Sequence, residues 1–459
     1  MLSKLLMPEI ESLIAERKLS ILKEILNDWT PADIADLILD LPEQEQVIVF
    51  RLLPIELATD TFEHLEFDVQ IGLLKAMGKG EVAAILNDMS PDDRTALLED
   101  LPGSAAKQLI QLLSAEERKI AQTLLGYPEN SVGRLMTPDY IAAKPDWTIA
   151  ETLDFVRENA EDSETLNVIY VINDKGVLID DIRIREIILA PTAKKISDLM
   201  DENYVSLNVA DDQELAVEQF KKYDRIALPV TDKSGILIGI VTVDDVLDVA
   251  EEEATEDIQK IAATGVLEEP YPTIPILQLI KKRAFWLTIL FVAQILTAFV
   301  LGFFEDHLGK AIALTIFIPL IISSGGNSGS QAATLVIRAM ALGEISLKDW
   351  WLIMRREVIS GLVLGGILGI IGFLQVSVLA NFSESLKEYW LLIGFTVFFS
   401  IVGIVIWGTL SGSMLPFILK RLGADPATSS GPLVTTIVDV TGLIIYFSVA
   451  MIILSGTLL

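Results

Sequence analysis

A single carboxylate, Asp439, stands in the apolar stretch 432–457, in the run Thr435-Thr436-Ile437-Val438-Asp439-Val440-Thr441-Gly442, with no basic residue in that stretch to pair with it. Placing such a group in hydrocarbon costs about 3 kcal/mol on insertion scales, so an unpaired intramembrane acid marks a functional site, and a cation is its natural ligand. A second apolar stretch, 311–337, is interrupted by Pro319-Leu-Ile-Ile-Ser-Ser-Gly325-Gly326-Asn327-Ser328-Gly329-Ser330-Gln331. Gly325 and Gly329 form a G-x-x-x-G pair suited to close helix packing. Packing alone does not call for Asn, Ser and Gln in the same turn and a half, and amide and backbone oxygens facing a water-filled path account for them better. On helical geometry Asp439 lies about 10 Å inside the cytosolic end of its stretch, and Asn327 about 24 Å inward from the outer end of its own. Both fall in the inner third, where two helices would build one ion site.

The elements that must position these residues are five apolar stretches, 284–304, 311–337, 358–380, 390–419 and 432–457. Each can cross ~30 Å of hydrocarbon as a helix rising ~1.5 Å per residue. With a cytosolic N-terminus, the inner segments carry nine basic residues, Lys281, Lys282, Arg283, Arg338, Lys348, Arg355, Arg356, Lys420 and Arg421, against Lys310 and Lys387 outside. That asymmetry places the N-terminal half in the cytosol and the C-terminus outside, in a multi-pass membrane protein. Gly361, Gly365, Gly366, Gly369 and Gly372 recur at helical spacing and suit close packing. Gly408 to Pro416 fit either packing or lining a path.

Charge is divided along the chain in the same way. Residues 281–459 carry 11 Lys+Arg and 9 Asp+Glu, which leaves 24 against 55 in residues 1–280, so the whole formal charge of −29 resides in the first part. Such a surface repels a phosphate backbone and excludes nucleic acid as a partner. The absence of cysteine removes disulfides and thiolate metal sites, and two histidines, His64 and His307, leave little transition-metal chemistry. The N-terminus meets Glu9 and Glu11 too early for a signal peptide. No P-loop, zinc motif or nucleophile triad is present, so the expectation is a protein that is not an enzyme.

Within the acidic part, Leu135-Met-Thr-Pro-Asp-Tyr and Leu199-Met-Asp-Glu-Asn-Tyr open two copies of one pattern, each leading through a helix to a strand pair with a turn glycine, Gly176 or Gly235. The pattern resembles a tandem pair of CBS domains, small α/β modules that often sense ligands. Residues 1–130 are helical, with Thr30, Ser90 and Ser114 as N-caps and Leu41-Pro42, Leu53-Pro54 and Leu101-Pro102 as helix ends. At the junction with the membrane part, Asp244, Asp245, Asp248, Glu251, Glu252, Glu253, Glu256 and Asp257 put eight carboxylates into fourteen residues without a base. As a helix, Asp244, Asp248, Glu252 and Glu256 stack at i, i+4, and each like-charge pair costs roughly 0.2–0.5 kcal/mol unless a cation intervenes. A cation bound there would act on the connection to the first span.

Taken together, the helical N domain, CBS pair, acidic connecting helix, five spans, Pro-Leu-Ile-x-x-x-Gly-Gly-Asn-x-Gly-x-Gln and Asp-Val-Thr-Gly-Leu closely resemble the MgtE family of magnesium channels over essentially the full length. The resemblance implies a multidomain α + α/β membrane protein: a helical N-terminal domain (1–130), two CBS domains (131–195 and 196–250), an acidic connecting helix and linker (251–280) and a five-helix transmembrane domain (281–459). It implies a homodimer with the ion path at the subunit interface, Asp439 as the pore carboxylate, and Asn327 with the backbone of Gly325 and Gly326 in the wall. It further implies a multi-pass protein of the plasma (inner) membrane that takes up Mg²⁺, gated closed when cytosolic Mg²⁺ bridges regulatory acids. The matching positions are Asp93, Asp212, Glu214, Asp224, Asp245, Asp248, Glu253, Glu256 and Asp257, with Asp425 at the cytosolic mouth of the last span. Family members can also bind ATP at the CBS pair, which makes ATP a candidate ligand here. The first outer loop, with Glu305 and Asp306, departs from the family pattern. The competing readings are a secondary active transporter of Mg²⁺, Co²⁺ or Mn²⁺, for which no inverted repeat is visible, and a membrane-tethered nucleotide sensor, which leaves Asp439 and Asn327 without a role.

Overall fold

The computed structural model describes the chain except residues 1, 161–162, 268–270, 273, 305–311, 383, 429–430 and 458–459, so Glu305 and Asp306 of the first outer loop lie outside the described residues. The chain divides into two compact units, residues 1–251 and 252–459.

The first unit opens with ten short helices between Leu2 and Leu124 among the described residues. Their apolar faces close around Ile34, Leu37, Ile38, Phe62, Leu73 and Leu86. Leu41 and Leu101 end their helices with ψ of 152° and 143°, because a following proline pushes the preceding residue out of the α region. Two of the expected N-caps form: Thr30 accepts from the backbone N–H of Asp33 at 3.3 Å and Ser114 from that of Glu117 at 3.1 Å. Ser90 does not cap its helix, α1 (Pro91–Asp100). Its backbone N–H and hydroxyl both donate to Glu63 Oε1, at 2.8 and 3.1 Å, so a carboxylate from another helix has taken the capping hydroxyl.

The two repeat copies fold alike. In the first, β1 (Ala142–Ala143) pairs parallel with β2 (Val168–Ile172), which pairs antiparallel with β3 (Leu178–Arg183), and α2 (Ile149–Asn159) links β1 to β2. In the second, β4 (Leu207–Asn208), β5 (Ala227–Thr231) and β6 (Leu237–Thr242) repeat that order, with α3 (Gln213–Tyr223) as the crossover. Gly176 and Gly235 turn the two hairpins at φ +78°. The hairpins meet there, Leu178 N–H donating to Gly235 O and Leu237 N–H to Gly176 O, both at 3.0 Å. The chain leaves β6 directly into α4 (Val243–Ile261), whose Val246 and Val249 are buried.

The second unit is built on five long helices: α5 (Ile276–Phe303), α6 (Ile318–Ala341), α7 (Trp350–Leu379), α8 (Trp390–Arg421) and α9 (Gly431–Leu454). Among the described residues four of these, α5, α7, α8 and α9, are long and apolar enough to cross a membrane. The expected five spans are therefore four by that measure. The fifth candidate, α6, has the length, 24 residues, but its Ser323–Gln331 run lowers its apolarity. Helix α8 sits centrally, packed on α6, α7 and α9, while α5 packs on α9. Helix α5 buries none of its residues and exposes Phe285, Leu287, Phe291 and Phe299, the surface expected of a helix against lipid.

Candidate functional site

Glycine decides how α6, α8 and α9 meet. A Cβ on Gly329 would lie 2.9 Å from Gly408 O, and one on Gly325 2.8 Å from Val438 Cγ1. Gly325, Gly326 and Gly329 are thus the face of α6 that packs on α8 and α9. Gly408 and Gly412 pack backbone to backbone on Gly325 and Gly329, which resolves the open role of the Gly408–Pro416 stretch for these two residues. On α7, Gly361, Gly365, Gly369 and Gly372 face α8 side chains or backbone in the same manner, whereas nothing lies within 4 Å of a Cβ on Gly366.

Asp439 lies on α9, on the wall of a cavity of about 550 Å³ shared with Gln294 and Leu290 of α5, Ser330 of α6 and Thr435 and Thr436 of α9. Its Oδ2 accepts from Gln294 Nε2 at 3.3 Å. Its Oδ1 is buried with no hydrogen-bond partner among the described residues. Asn327 is placed elsewhere. With Ser323, Ser324, Ser328 and Gln331 it lines a second, partly open cavity of about 720 Å³, lined also by Leu364, Ile367 and Leu368 of α7. Its Nδ2 donates to Ser323 Oγ at 3.3 Å. Within one chain, Asn327 and Asp439 therefore line separate cavities. The glycines of the expected wall, Gly325 and Gly326, are buried between helices.

In the first unit Asp93 and Asp245 come together, joined by four acids that the sequence did not single out for this role: Asp92, Glu63, Glu164 and Asp244. Burial pushes Asp93 up to about 8, reinforced by Glu63, Asp245, Glu164 and Asp244. Burial likewise raises Asp245 to about 7 against the hydrogen bond from Thr242, with Asp244 and Glu164 adding to the rise. Asp92, 6% exposed, is held well above the carboxylate range by burial and then by Asp245, Asp93 and Glu164. Like charges crowded in a poorly hydrated place oppose one another's ionisation. The neighbouring Arg94 does not neutralise them: it is fully buried, donates to Leu86 O at 3.0 Å and pairs with Glu117.

The other expected acids are dispersed. Asp212 caps α3, accepting from Glu214 N–H at 3.0 Å, while Asp224 ends the same helix in the left-handed region at φ +49°. Twelve positions separate Asp212 from Asp224, about 18 Å along a helix, so one ion cannot join Asp224 to the Asp212–Glu214 end. Asp248 is raised by burial, then by Asp244 and Glu251. In the second unit Glu256, Asp257 and Asp425 gather around one base, Lys260, which continues the i, i+4 ladder of α4. It pairs with Glu256 and with Asp425 Oδ2, the latter at 2.7 Å. Asp257 is raised by burial and then by Asp425, against the pull of Lys260. Glu253 lies one turn before it on α4.

These groups offer oxygen donors only, the chemistry of a hard divalent cation. Among the described residues no three His, Cys, Asp or Glu side chains converge as a ready cage. Acids that crowd without closing in suit an ion that keeps several of its waters, as Mg²⁺ does.

Comparison with known proteins gives family matches along the chain. Residues 29–130 match the MgtE intracellular N domain, 132–192 and 196–252 match CBS domains, and 318–449 match the MgtE divalent cation transporter domain. The chain is 37% identical to the magnesium transporter MgtE of Thermus thermophilus and 32% identical to that of Bacillus subtilis, in each case over 95% of both chains. Among solved structures, the cytosolic domain of the Mg²⁺ channel MgtE in complex with ATP is similar over 52% of this chain and 98% of that one, at 33% identity and a TM-score of 0.50. The soluble part of a magnesium transporter is similar over 55% and 99%, at 26% identity and a TM-score of 0.52. A multi-pass membrane protein with apolar helices, a tandem CBS pair and these relatives throughout its length, the chain belongs to the MgtE family of magnesium transporters, a family of transporters rather than enzymes.

Proposed function

We propose that the chain is a Mg²⁺-selective channel of the plasma membrane, oriented with its N-terminus in the cytosol and its C-terminus outside, that admits Mg²⁺ and closes as cytosolic Mg²⁺ rises. The observation that carries this reading is Asp439: a carboxylate within an apolar helix, on a cavity wall, with a neutral amide as its one described hydrogen-bond donor. A fixed cation partner would make the group structural, and its lack leaves the charge for a passing ion. Helix α6 crosses as the fifth span, with Ser328 buried in the bundle and Ser323, Asn327 and Gln331 exposed along one face. In a homodimer two Asp439 carboxylates face one path, and the Asn327 stripe adds neutral oxygens. Such a path holds a largely hydrated Mg²⁺ tightly enough to admit it and loosely enough to release it.

On the cytosolic side, Asp93 with Asp245, and Glu256, Asp257 and Asp425, are two places where carboxylates repel when no cation neutralises them. Asp212, Glu214, Asp224, Asp248 and Glu253 add acids beyond those two places. Raised cytosolic Mg²⁺ favours the arrangement that draws these acids together, and closure follows as a shift between two states. ATP is a candidate ligand of the CBS pair, supported by the ATP bound in the related cytosolic domain. The test is Mg²⁺ uptake by cells lacking their own Mg²⁺ transport. Asp439→Asn keeps the shape of the side chain, and it should reduce uptake to the level of cells without the protein while leaving its amount in the membrane unchanged. Unaltered uptake would remove Asp439 from the path.

A further inference from the structure

Helix α5 adds something to the site that rests on reading Asp439 as the ion-binding carboxylate. Gln294 is the only amide in the apolar run 284–303. A polar amide on a lipid-facing helix is costly unless it is bonded, and a leucine would fill its place at no such cost. Its Nε2 reaches across to Asp439 Oδ2 at 3.3 Å, while Oδ1 stays buried without a partner. Three residues on, and so on the same face of α5, Thr297 Oγ1 is also buried without a partner among the described residues. The side of α5 nearest Asp439 thus carries polar groups that packing against α9 does not require.

We propose that Gln294 is a positioning residue that sets the selectivity of the ion site. The amide holds the carboxylate by one oxygen and so fixes its orientation toward a hydrated cation. The amide's own oxygen is free to accept from a water in the ion's shell. A carboxylate released from this bond can swing to meet an ion directly and displace its water. Ca²⁺, which accepts six to eight oxygens in flexible geometry, profits from that freedom. Mg²⁺, which dehydrates reluctantly, does not. Gln294 therefore favours Mg²⁺ over Ca²⁺ by restraining Asp439.

The experiment records unitary currents from the reconstituted full-length protein in Mg²⁺ and in Ca²⁺. Gln294→Leu should lower unitary Mg²⁺ conductance and shift preference toward Ca²⁺ by about fivefold or more, the scale set by loss of a hydrogen bond to a charged group. Gln294→Asn, which keeps the amide, should recover part of both. A merely structural role would reduce the number of active channels and leave unitary conductance and preference unchanged, and that result overturns the proposal. A second readout does not depend on current. The native chain has no cysteine, so Gln294→Cys offers a unique thiol whose reaction with a cationic thiosulfonate Mg²⁺ should slow. Reactivity indifferent to Mg²⁺ overturns the proposal as well. If the wild type carries no unitary current, the channel reading fails, and the labelling result alone decides the role of Gln294.

Discussion

Lys260 Nζ lies 2.7 Å from Asp425 Oδ2, tying the last turn of the acidic helix α4 to the short turn that precedes α9, the helix carrying Asp439. The same ammonium pairs with Glu256, so the chain supplies its own cation where Glu256, Asp257 and Asp425 meet. Both side chains are partly exposed, and the pair contributes no more than about 1 kcal/mol to stability. Its predicted effect is on the proposed gating. Lys260→Met should leave three acids without a counter-charge and raise the affinity of that place for Mg²⁺, so that half-closure occurs at a several-fold lower cytosolic Mg²⁺ concentration. An unchanged closing concentration would reduce Lys260 to a surface ion pair.

The acids around Asp93 predict a pH dependence of definite sign. Asp93 near 8 and Asp245 near 7 lie above the ordinary value of 3.8. A raised carboxyl pKa contributes stability that is fully present below the unfolded value and is lost as pH rises through the folded one. In metal-free buffer the protection of the first unit from proteolysis should therefore fall progressively as pH rises from about 4 to about 8, a loss on the order of a few kcal/mol, and change little above that. Added Mg²⁺ should restore protection at pH 8.5 and do little at pH 6. Asp93→Asn should flatten the profile. A profile of the opposite slope would show that these acids are already neutralised by another group.

What was legible in the sequence was what is local in the chain. The ladder of α4 follows from i, i+4 spacing, and Lys260 would have been found by carrying it one step further than Glu256. The repeated hairpins follow from Gly176 and Gly235. Lost to the sequence were relationships set by tertiary contact, such as Glu63 taking the hydroxyl of Ser90, 27 positions away, or joining Glu164 beside Asp93. Depth along a helix placed Asn327 and Asp439 at one level but carried no information on azimuth. Residue 326 faces Thr435 of α9, and one residue further turns the side chain by about 100°, onto the other flank of α6. Gln294, a lone amide in an apolar run, was visible as a polar interruption, and only the packing of α5 on α9 gave it a partner.

The glycine contacts separate two kinds of substitution. Gly412→Ala places a methyl group against the backbone of Gly329 and should destabilise the bundle by about 1–3 kcal/mol, read as a lower unfolding temperature in detergent. Gly366→Ala, on α7 with nothing within 4 Å of the new Cβ, should be neutral or stabilising by up to ~1 kcal/mol through helix propensity. Equal behaviour of the two would contradict the packing of α6 on α8.

On the proposed gating, the acidic first part of the chain measures the ion that Asp439 admits. The most direct test is single-channel recording from the reconstituted protein while Mg²⁺ is varied on the cytosolic face alone. Unitary Mg²⁺ currents are expected at low cytosolic Mg²⁺, with an open probability that falls as cytosolic Mg²⁺ rises, at constant unitary conductance. Currents whose open probability ignores cytosolic Mg²⁺ would contradict the gating, and the absence of unitary current under every condition would contradict the channel itself.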